Sequence, residues 1–243
     1  MQYAPYYMQN FSYIYNPATR EAFMKSIRET LDKYSSGMWG VTIGDEAFSQ
    51  TVRRIVTRGN NKKILESDPA LKNALEEVKT KYGYGKYCLP ETLSAEAPFD
   101  WIALRKWFFD QLLPIQKELF ALAKKYKGSN GKPLTIVSHD HVDWAIMQQI
   151  SRFAPYVDIM TAQSVPMNDP TRQNLAFRAK LLKDLSSKSV WLCVHLEPYN
   201  GHYTASETAA LLSEAARGGN SGLQIWNYDF IADQQGMGSS RFD

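Results

Sequence analysis

The segment Trp191–Tyr199 constrains the fold of this chain more than any other stretch. Its apolar and β-favouring residues lack helical spacing and predict a buried strand, which Pro198 and Asn200-Gly201 bring to an end. His195 and Glu197 lie two residues apart at the end of this strand, so their side chains should leave the same face. A carboxylate in this position has no evident structural task, and the sequence therefore predicts a functional role for it.

Predicted strands and helices alternate along the rest of the chain. Asn16-Pro17 and Asp68-Pro69 each open a helix with a cap and a first-turn proline, and Thr204–Glu207 opens another with a capping box. Pro114 should kink or restart a long helical region. Buried strands that alternate with amphipathic helices predict a parallel sheet with helical crossovers. The predicted strands cover 2–8, 38–43, 133–138, 157–162, 189–195 and 222–227, and the predicted helices cover 17–34, 49–58, 69–81, 99–127, 144–153, 170–186 and 205–217.

Polar and charged residues gather just after the predicted strands. In a barrel all of these loops meet at one face, which is the face that carries active sites. A doubly wound sheet is the alternative, but no glycine-rich phosphate loop follows an early strand. We therefore predict an α/β fold of the (β/α) TIM-barrel type. The residues that gather after strands are Asp45, Glu46, 139–143, Gln163, His195, Glu197, Asn227 and Asp229.

The number of strands bears on whether this barrel is complete. Six strands are predicted where a barrel needs eight. Either two strands are missed, for example in 84–96, or the barrel is incomplete at its N-terminus. In either case we predict one barrel domain over residues 1–243, with a mainly helical insertion at about 49–130. If the barrel is incomplete, the open edges at 2–8 and 222–227 should favour association with another chain.

Composition excludes several classes of partner. The 243 residues are 44% hydrophobic and 22% charged, which is typical of one large globular domain. A net charge of +3, without a basic run, does not indicate nucleic acid. No apolar stretch is long enough to cross a membrane and no signal peptide is visible, so localisation stays open. Cys88 and Cys193 are interpreted as two free thiols rather than a disulfide.

Three segments resemble strands of the (β/α)8 glycoside hydrolase superfamily. Met38–Glu46, Met-Trp-Gly-Val-Thr-Ile-Gly-Asp-Glu, resembles its fourth strand, which ends in the acid/base glutamate. Val190–Glu197 resembles its seventh strand, whose end carries the nucleophile glutamate. Gly222–Asn227 resembles its eighth strand, where a tryptophan often forms the floor of the sugar-binding site. On this count residues 2–8 are the third strand and the first two are missing. One departure is Asp45, because the superfamily usually has asparagine before its acid/base glutamate.

The resemblance implies a retaining glycosidase that needs no cofactor and acts on a carbohydrate. Glu46 would be the general acid/base and Glu197 the nucleophile, since glycoside hydrolysis needs one protonated and one ionised carboxyl group. Asp45 could raise the pKa of a neighbouring carboxyl group by repulsion, and His195 could hold Glu197 ionised. The expected substrate-binding residues are Asp45, His139, His141, Gln163, His195, Tyr199 and Trp226.

Other interpretations of the same residues stay open. Glu46 could simply favour the N-terminus of a helix, and Trp226 could be a core aromatic. A non-catalytic carbohydrate-binding barrel is one alternative function. A metal-dependent hydrolase is another, because the alternating His139 and His141 have a spacing that can chelate a metal. His195, Glu197 and Asp229 could complete that shell, although such barrels usually carry the His-x-His pair on their first strand.

Overall fold

A computed structural model of the chain describes residues 2–3, 11–43, 66–81, 98–138, 140–141, 150–163, 174–195 and 203–226. Within these ranges, strands and helices alternate. The strands are β1 (Gln2–Tyr3), β2 (Gly40–Ile43), β3 (Thr135–Ser138), β4 (Asp140–His141), β5 (Ile159–Gln163), β6 (Ser189–His195) and β7 (Gly222–Trp226). The helices are α1 (Pro17–Tyr34), α2 (Pro69–Lys81), α3 (Pro98–Ala123), α4 (Ile150–Phe153), α5 (Leu175–Ser186) and α6 (Ala205–Arg217).

The chain falls into two compact units. Unit 1 comprises Met1–Asp140 with Pro155–Val157, and unit 2 comprises His141–Ala154 with Asp158–Asp243. In unit 1, β1, β2 and β3 are parallel neighbours in that order. In unit 2, β5, β6 and β7 are parallel neighbours in chain order. Helices connect the successive strands, so the predicted α/β class with parallel strands is confirmed, whereas a closed barrel is not shown.

Helix α1 begins where the sequence predicts it. The side-chain oxygen of Asn16 accepts hydrogen bonds from the backbone N–H groups of Ala18 (3.0 Å) and Thr19 (3.3 Å), and Pro17 occupies the first turn. Both N–H groups would otherwise lack a partner inside the helix. The helix buries one apolar side, made of Phe23, Met24, Ile27 and Leu31.

Helix α3 corrects one prediction about a helix break. The sequence favours a kink or a restart at Pro114. The helix does not restart there but runs as one element from Pro98 to Ala123, while the kink stays a prediction. Proline removes one hydrogen bond from the ladder. Large apolar side chains on both sides of it, Leu112 and Ile115, are almost completely buried. This burial stabilises the helix on both sides of the missing bond, because tertiary packing provides most helical stability in proteins.

Unit 2 follows the sequence prediction closely. Strand β6 covers Ser189–His195, the predicted range, and α6 begins with the predicted capping box. In that box the Glu207 N–H donates to Thr204 Oγ1 at 3.2 Å, and the Thr204 N–H donates to Glu207 Oε2 at 2.7 Å. The helix ends at Arg217 with Gly218 as its C-cap, as expected from the Gly218-Gly219 pair. Local capping signals therefore define these boundaries.

Several predictions fall outside the described residues or can be checked only in part. The predicted helix at 49–58 and the first part of the one at 144–153 are not among the described residues. Cys193 is buried and forms no disulfide, as predicted, while Cys88 lies outside the described residues. Among the described helices, none is long and apolar enough to cross a bilayer.

Candidate functional site

In unit 1, strands β2 and β3 end at the same level. Their parallel register pairs Ile43 with Ser138, the last residue of each strand. Asp45 and Glu46 come shortly after Ile43 in the chain, and His139 comes directly after Ser138. These three residues lie outside the described residues, so their predicted roles stay predictions.

In unit 2, three residues predicted from the sequence occupy strand ends. Gln163 is the last residue of β5, His195 the last of β6 and Trp226 the last of β7. The register pairs His195 with Trp226. It pairs Gln163 with Cys193, which lies two residues before His195 in β6. The backbones of His195 and Trp226 are therefore neighbours, with Gln163 one row nearer the amino ends of the strands. The side chains of these three residues are not among those described.

The two faces of the unit 2 sheet differ in chemistry. Val190, Leu192 and Val194 of β6 share one face, and each is at most 2% exposed. We call this the apolar face. Trp191 and Cys193 alternate with them and lie on the opposite face, which we call the mixed face. The register places Gln224 of β7 beside Cys193, and therefore on the mixed face.

Gln224 is the residue of this region that the sequence analysis missed. Its side-chain oxygen Oε1 is buried and has no hydrogen-bond partner, although the residue as a whole is half-buried. A buried carbonyl oxygen without a donor is costly and therefore needs an explanation. The signal in the sequence was its position two residues before Trp226, which puts both residues on one face of the strand.

Trp191 lies across the mixed face on the amino-terminal side of Gln224. A Cβ atom added to Gly222 would come within 2.6–2.8 Å of the Nε1, Cε2 and Cδ1 atoms of the Trp191 indole. The ring therefore occupies the space that a side chain at position 222 would need. Because Gly222 precedes Gln224 by two residues on the same face, the indole borders the row that contains Gln224.

Two buried hydroxyl residues of unit 1 do not form a common site. Thr42 is 3% exposed and Ser138 is 2% exposed. The register pairs Thr42 with Val137 and Ser138 with Ile43, which places the two hydroxyl residues on opposite faces of the sheet. Each therefore belongs to a different packing layer.

Two groups in unit 1 have shifted pKa values for structural reasons. Burial lowers the pKa of the Arg20 guanidinium, and the nearby Glu118 carboxylate partly opposes that effect. Arg20 donates to the carbonyl oxygens of Tyr13 and Ile14. A hydrogen bond from the Tyr126 hydroxyl to Asp32 Oδ1, at 2.7 Å, raises the pKa of that hydroxyl. Both groups tie separate chain segments together.

The described residues do not test the metal hypothesis. Among the side chains that the structure describes, no group of three or more His, Cys, Asp or Glu residues could hold a metal ion. His139 lies outside the described residues, and only the backbones of His141 and His195 lie within them. Glu197, Tyr199 and Asp229 also lie outside. The histidine cluster therefore stays a hypothesis from the sequence.

Comparison with known proteins identifies a shared fold. No family model matches the chain, and no curated protein matches it. The β-galactosidase of the psychrophilic Marinomonas ef1 matches over 88% of this chain, with 13% identity and a TM-score of 0.56. Bee venom hyaluronidase, solved in complex with a hyaluronic acid tetramer, matches over 87% of it, with 13% identity and a TM-score of 0.52.

The chain is shorter than both of these proteins. It spans 38% of the β-galactosidase and 68% of the hyaluronidase. Both are glycoside hydrolases, so the chain has a fold similar to theirs: an α/β fold with parallel strands, like that of an incomplete TIM-type barrel. The predicted resemblance is thus confirmed at the level of the fold. At 13% identity the likeness extends no further than that.

Proposed function

We propose that this chain is a glycoside hydrolase domain that cleaves a carbohydrate by a retaining mechanism. The observation that carries the proposal is the fold shared with a β-galactosidase and a hyaluronidase. The positions of two glutamates in the chain also support the proposal. Glu46 and Glu197 each follow closely after a parallel strand. Enzymes built on such barrels carry their active sites at the carboxyl ends of the strands.

In the proposed mechanism, the two glutamates have separate tasks. Glu197 attacks the anomeric carbon and forms a glycosyl-enzyme, while Glu46 first protonates the leaving oxygen and then deprotonates the attacking water. This chemistry requires the two carboxyl groups to stand about 5–5.5 Å apart, because no water has to fit between nucleophile and sugar. Asp45 would help to keep Glu46 protonated, and His195 would help to keep Glu197 ionised.

Sugar binding is assigned to polar and aromatic residues around these carboxylates. We propose that Trp226 stacks on a pyranose face, with Tyr199 as a second aromatic contact. His139, His141 and Gln163 would hydrogen-bond sugar hydroxyls. In this proposal the domain covers residues 1–243 as one barrel, with a mainly helical insertion at about 49–130.

Leaving-group dependence tests the role of Glu46. Glu46→Gln should slow the hydrolysis of substrates with poor leaving groups far more than that of activated aryl glycosides, because the latter need little protonation. Azide should restore turnover to Glu46→Ala by intercepting the glycosyl-enzyme, and the product should be a glycosyl azide of retained configuration. An azide product of inverted configuration would instead show that azide attacks the substrate directly, and it would remove Glu46 from the acid/base role.

Two outcomes would favour the alternative functions. If a broad panel of aryl glycosides is untouched while oligosaccharides still bind, a non-catalytic carbohydrate-binding barrel is the better interpretation. If the purified protein holds stoichiometric zinc, manganese or iron, His139, His141 and His195 become metal ligands rather than substrate contacts.

Association through an open sheet edge is a further part of the proposal. Within the described residues, β7 pairs with β6 alone. Leu223 on β7 is 42% exposed, whereas its register partner Leu192 on β6 is completely buried. Uncovered edges favour association between chains. Light scattering should therefore detect species larger than one chain, and a clean monomer would contradict this expectation.

A further inference from the structure

We infer that Gln224 is a sugar-binding residue at the floor of the proposed site, and that its side-chain carbonyl accepts a hydrogen bond from a hydroxyl of the bound carbohydrate. The inference rests on the proposed function and adds a residue that the sequence did not indicate. It starts from one observation: Gln224 Oε1 is buried and has no hydrogen-bond partner.

The position of Gln224 connects this oxygen to the proposed site. Gln224 pairs with Cys193 on β6, and Cys193 pairs with Gln163 on β5, so the three residues form one row across three parallel strands. The next row toward the carboxyl ends contains His195 and Trp226. Gln224 therefore lies in the same row as Gln163 and one row deeper than His195 and Trp226, all three of which are proposed to contact the sugar.

The surroundings of Gln224 leave few donors for its oxygen within the sheet. Its neighbour Cys193 is completely buried and offers at most a weak S–H donor. On the amino-terminal side the Trp191 ring fills the space over Gly222. A sugar bound at the carboxyl side of this row would bring hydroxyl donors to Gln224 Oε1, which has no hydrogen-bond partner in the structure.

The enclosed oxygen can still meet a ligand without any backbone movement. Gln224 as a residue is half-buried, so part of it stays within reach of solvent. Rotation about the last bond of a glutamine side chain is soft, and the amide can turn its oxygen toward an incoming donor. A carbohydrate hydroxyl suits this acceptor because a hydroxyl both donates and accepts. A site built in this way should reject sugars that lack the hydroxyl, because the carbonyl would again be left unpaired.

The chain offers a matched control for this residue. Gln116 in α3 of unit 1 is 3% exposed, and its Oε1 is likewise buried without a partner. Gln116 belongs to no strand end and has no proposed role in sugar binding. Gln224→Met and Gln116→Met therefore make the same chemical change, the first inside the proposed site and the second outside it.

The experiment compares the thermal stability of the wild type and both variants with and without ligand. Galactose and the hyaluronic acid tetramer serve as probes, and a bound probe raises the Tm by an amount that grows with the logarithm of the ratio of probe concentration to Kd. Without a probe, both Met variants should keep or raise the Tm, because each removes an unsatisfied polar group. With a probe, Gln224→Met should bind about tenfold more weakly than the wild type, whereas Gln116→Met should bind as well as the wild type.

A conservative variant separates hydrogen bonding from packing. Gln224→Glu keeps the acceptor and the shape, so it should bind the probe better than Gln224→Met does. Probe affinities that are equal in the wild type and Gln224→Met would overturn the inference while leaving the proposed function intact. A wild type that binds neither probe and cleaves no aryl glycoside would overturn both.

Discussion

The amino ends and the carboxyl ends of the strands have different chemistry. At the amino ends, glycines make room for close backbone and ring contacts: Gly40 against Thr135, Gly128 against Met38, and Gly222 against Trp191. At the carboxyl ends stand Gln163, His195 and Trp226, followed in the chain by charged residues. At these three glycines, tight packing leaves no room for a side chain.

The amino ends are also joined by hydrogen bonds between neighbouring segments. In unit 1 the Ser129 N–H donates to the Met38 carbonyl oxygen at 2.6 Å, which ties the turn before β3 to the start of β2. In unit 2 the Ser221 N–H donates to the Val190 carbonyl oxygen at 2.7 Å, which ties the start of β7 to β6. In barrels, features that serve stability lie at the amino ends and active sites lie at the carboxyl ends, and we propose the same division for the strands of this chain. Four substitutions test this separation.

The largest effect is expected at the carboxyl ends. Glu197→Gln keeps the shape of the side chain and removes the proposed nucleophile, so turnover of glycosides should fall by about three or more orders of magnitude. The free energy of unfolding should change little. Steady-state kinetics and urea denaturation measure the two quantities. A variant that keeps wild-type turnover would remove Glu197 from the mechanism.

The second largest effect is expected at the amino ends of the strands. A Cβ atom at residue 128 would lie 2.5 Å from the Met38 carbonyl oxygen, so Gly128→Ala must displace backbone. We expect a loss of about 1–3 kcal/mol in the free energy of unfolding, the usual cost of overpacking. Gly37→Ala is the control, because nothing lies within 4 Å of the added atom. Equal stabilities of the two variants in urea would show that this contact is not tight.

A smaller effect is expected at the capping box of α6. Thr204→Ala removes the Oγ1 that accepts from the Glu207 N–H, and it should cost about 1 kcal/mol of unfolding free energy. Thr204→Ser keeps the hydroxyl and should behave nearly as the wild type does. Thermal unfolding followed by circular dichroism compares the two. If serine and alanine destabilise the protein equally, the cap does not contribute through this hydrogen bond.

The smallest effect is expected on the solvent side of α5. Lys180 Nζ lies 2.8 Å from Asp184 Oδ2, but the two side chains are 71% and 57% exposed. Lys180→Ala should therefore change the free energy of unfolding by less than about 0.5 kcal/mol, and added salt should shrink the difference further. A loss comparable to that of Gly128→Ala would show that the separation between strand ends and exposed helix faces is wrong.

Much of the fold could be predicted because its signals are local. The cap at Asn16, the capping box at Thr204 and Glu207, and the strand Ser189–His195 all appear where the sequence places them. A cap depends on side chains only two or three positions away, and a strand depends on alternation within one segment. These features need no knowledge of the rest of the molecule.

For the candidate site, the sequence predicted only which residues lie at the ends of the strands, and not how those residues are paired. The sequence gives the order of Gln163, His195 and Trp226, and the structure adds that His195 and Trp226 are register partners. The orphaned oxygen of Gln224 could not be predicted, because whether a polar atom is satisfied depends on every group around it. That the helix continues through Pro114 without a restart could not be predicted for a similar reason, since distant packing outweighs a local breaker.

For most of the described segments, the sequence by itself determined which become strands and helices, and it located the caps of α1 and α6 and the polar residues that follow the strands. It did so because these properties arise from neighbours in the chain. It did not predict β4, and it placed the start of α5 at 170 rather than at Leu175. Only the tertiary structure decided the register of the parallel strands, the contact of Trp191 with Gly222, and the burial of Gln224 without a partner. Parallel strands are joined by long crossovers, so the pairing of residues such as Cys193 and Gln224 is set by the packing of whole elements rather than by a turn between them.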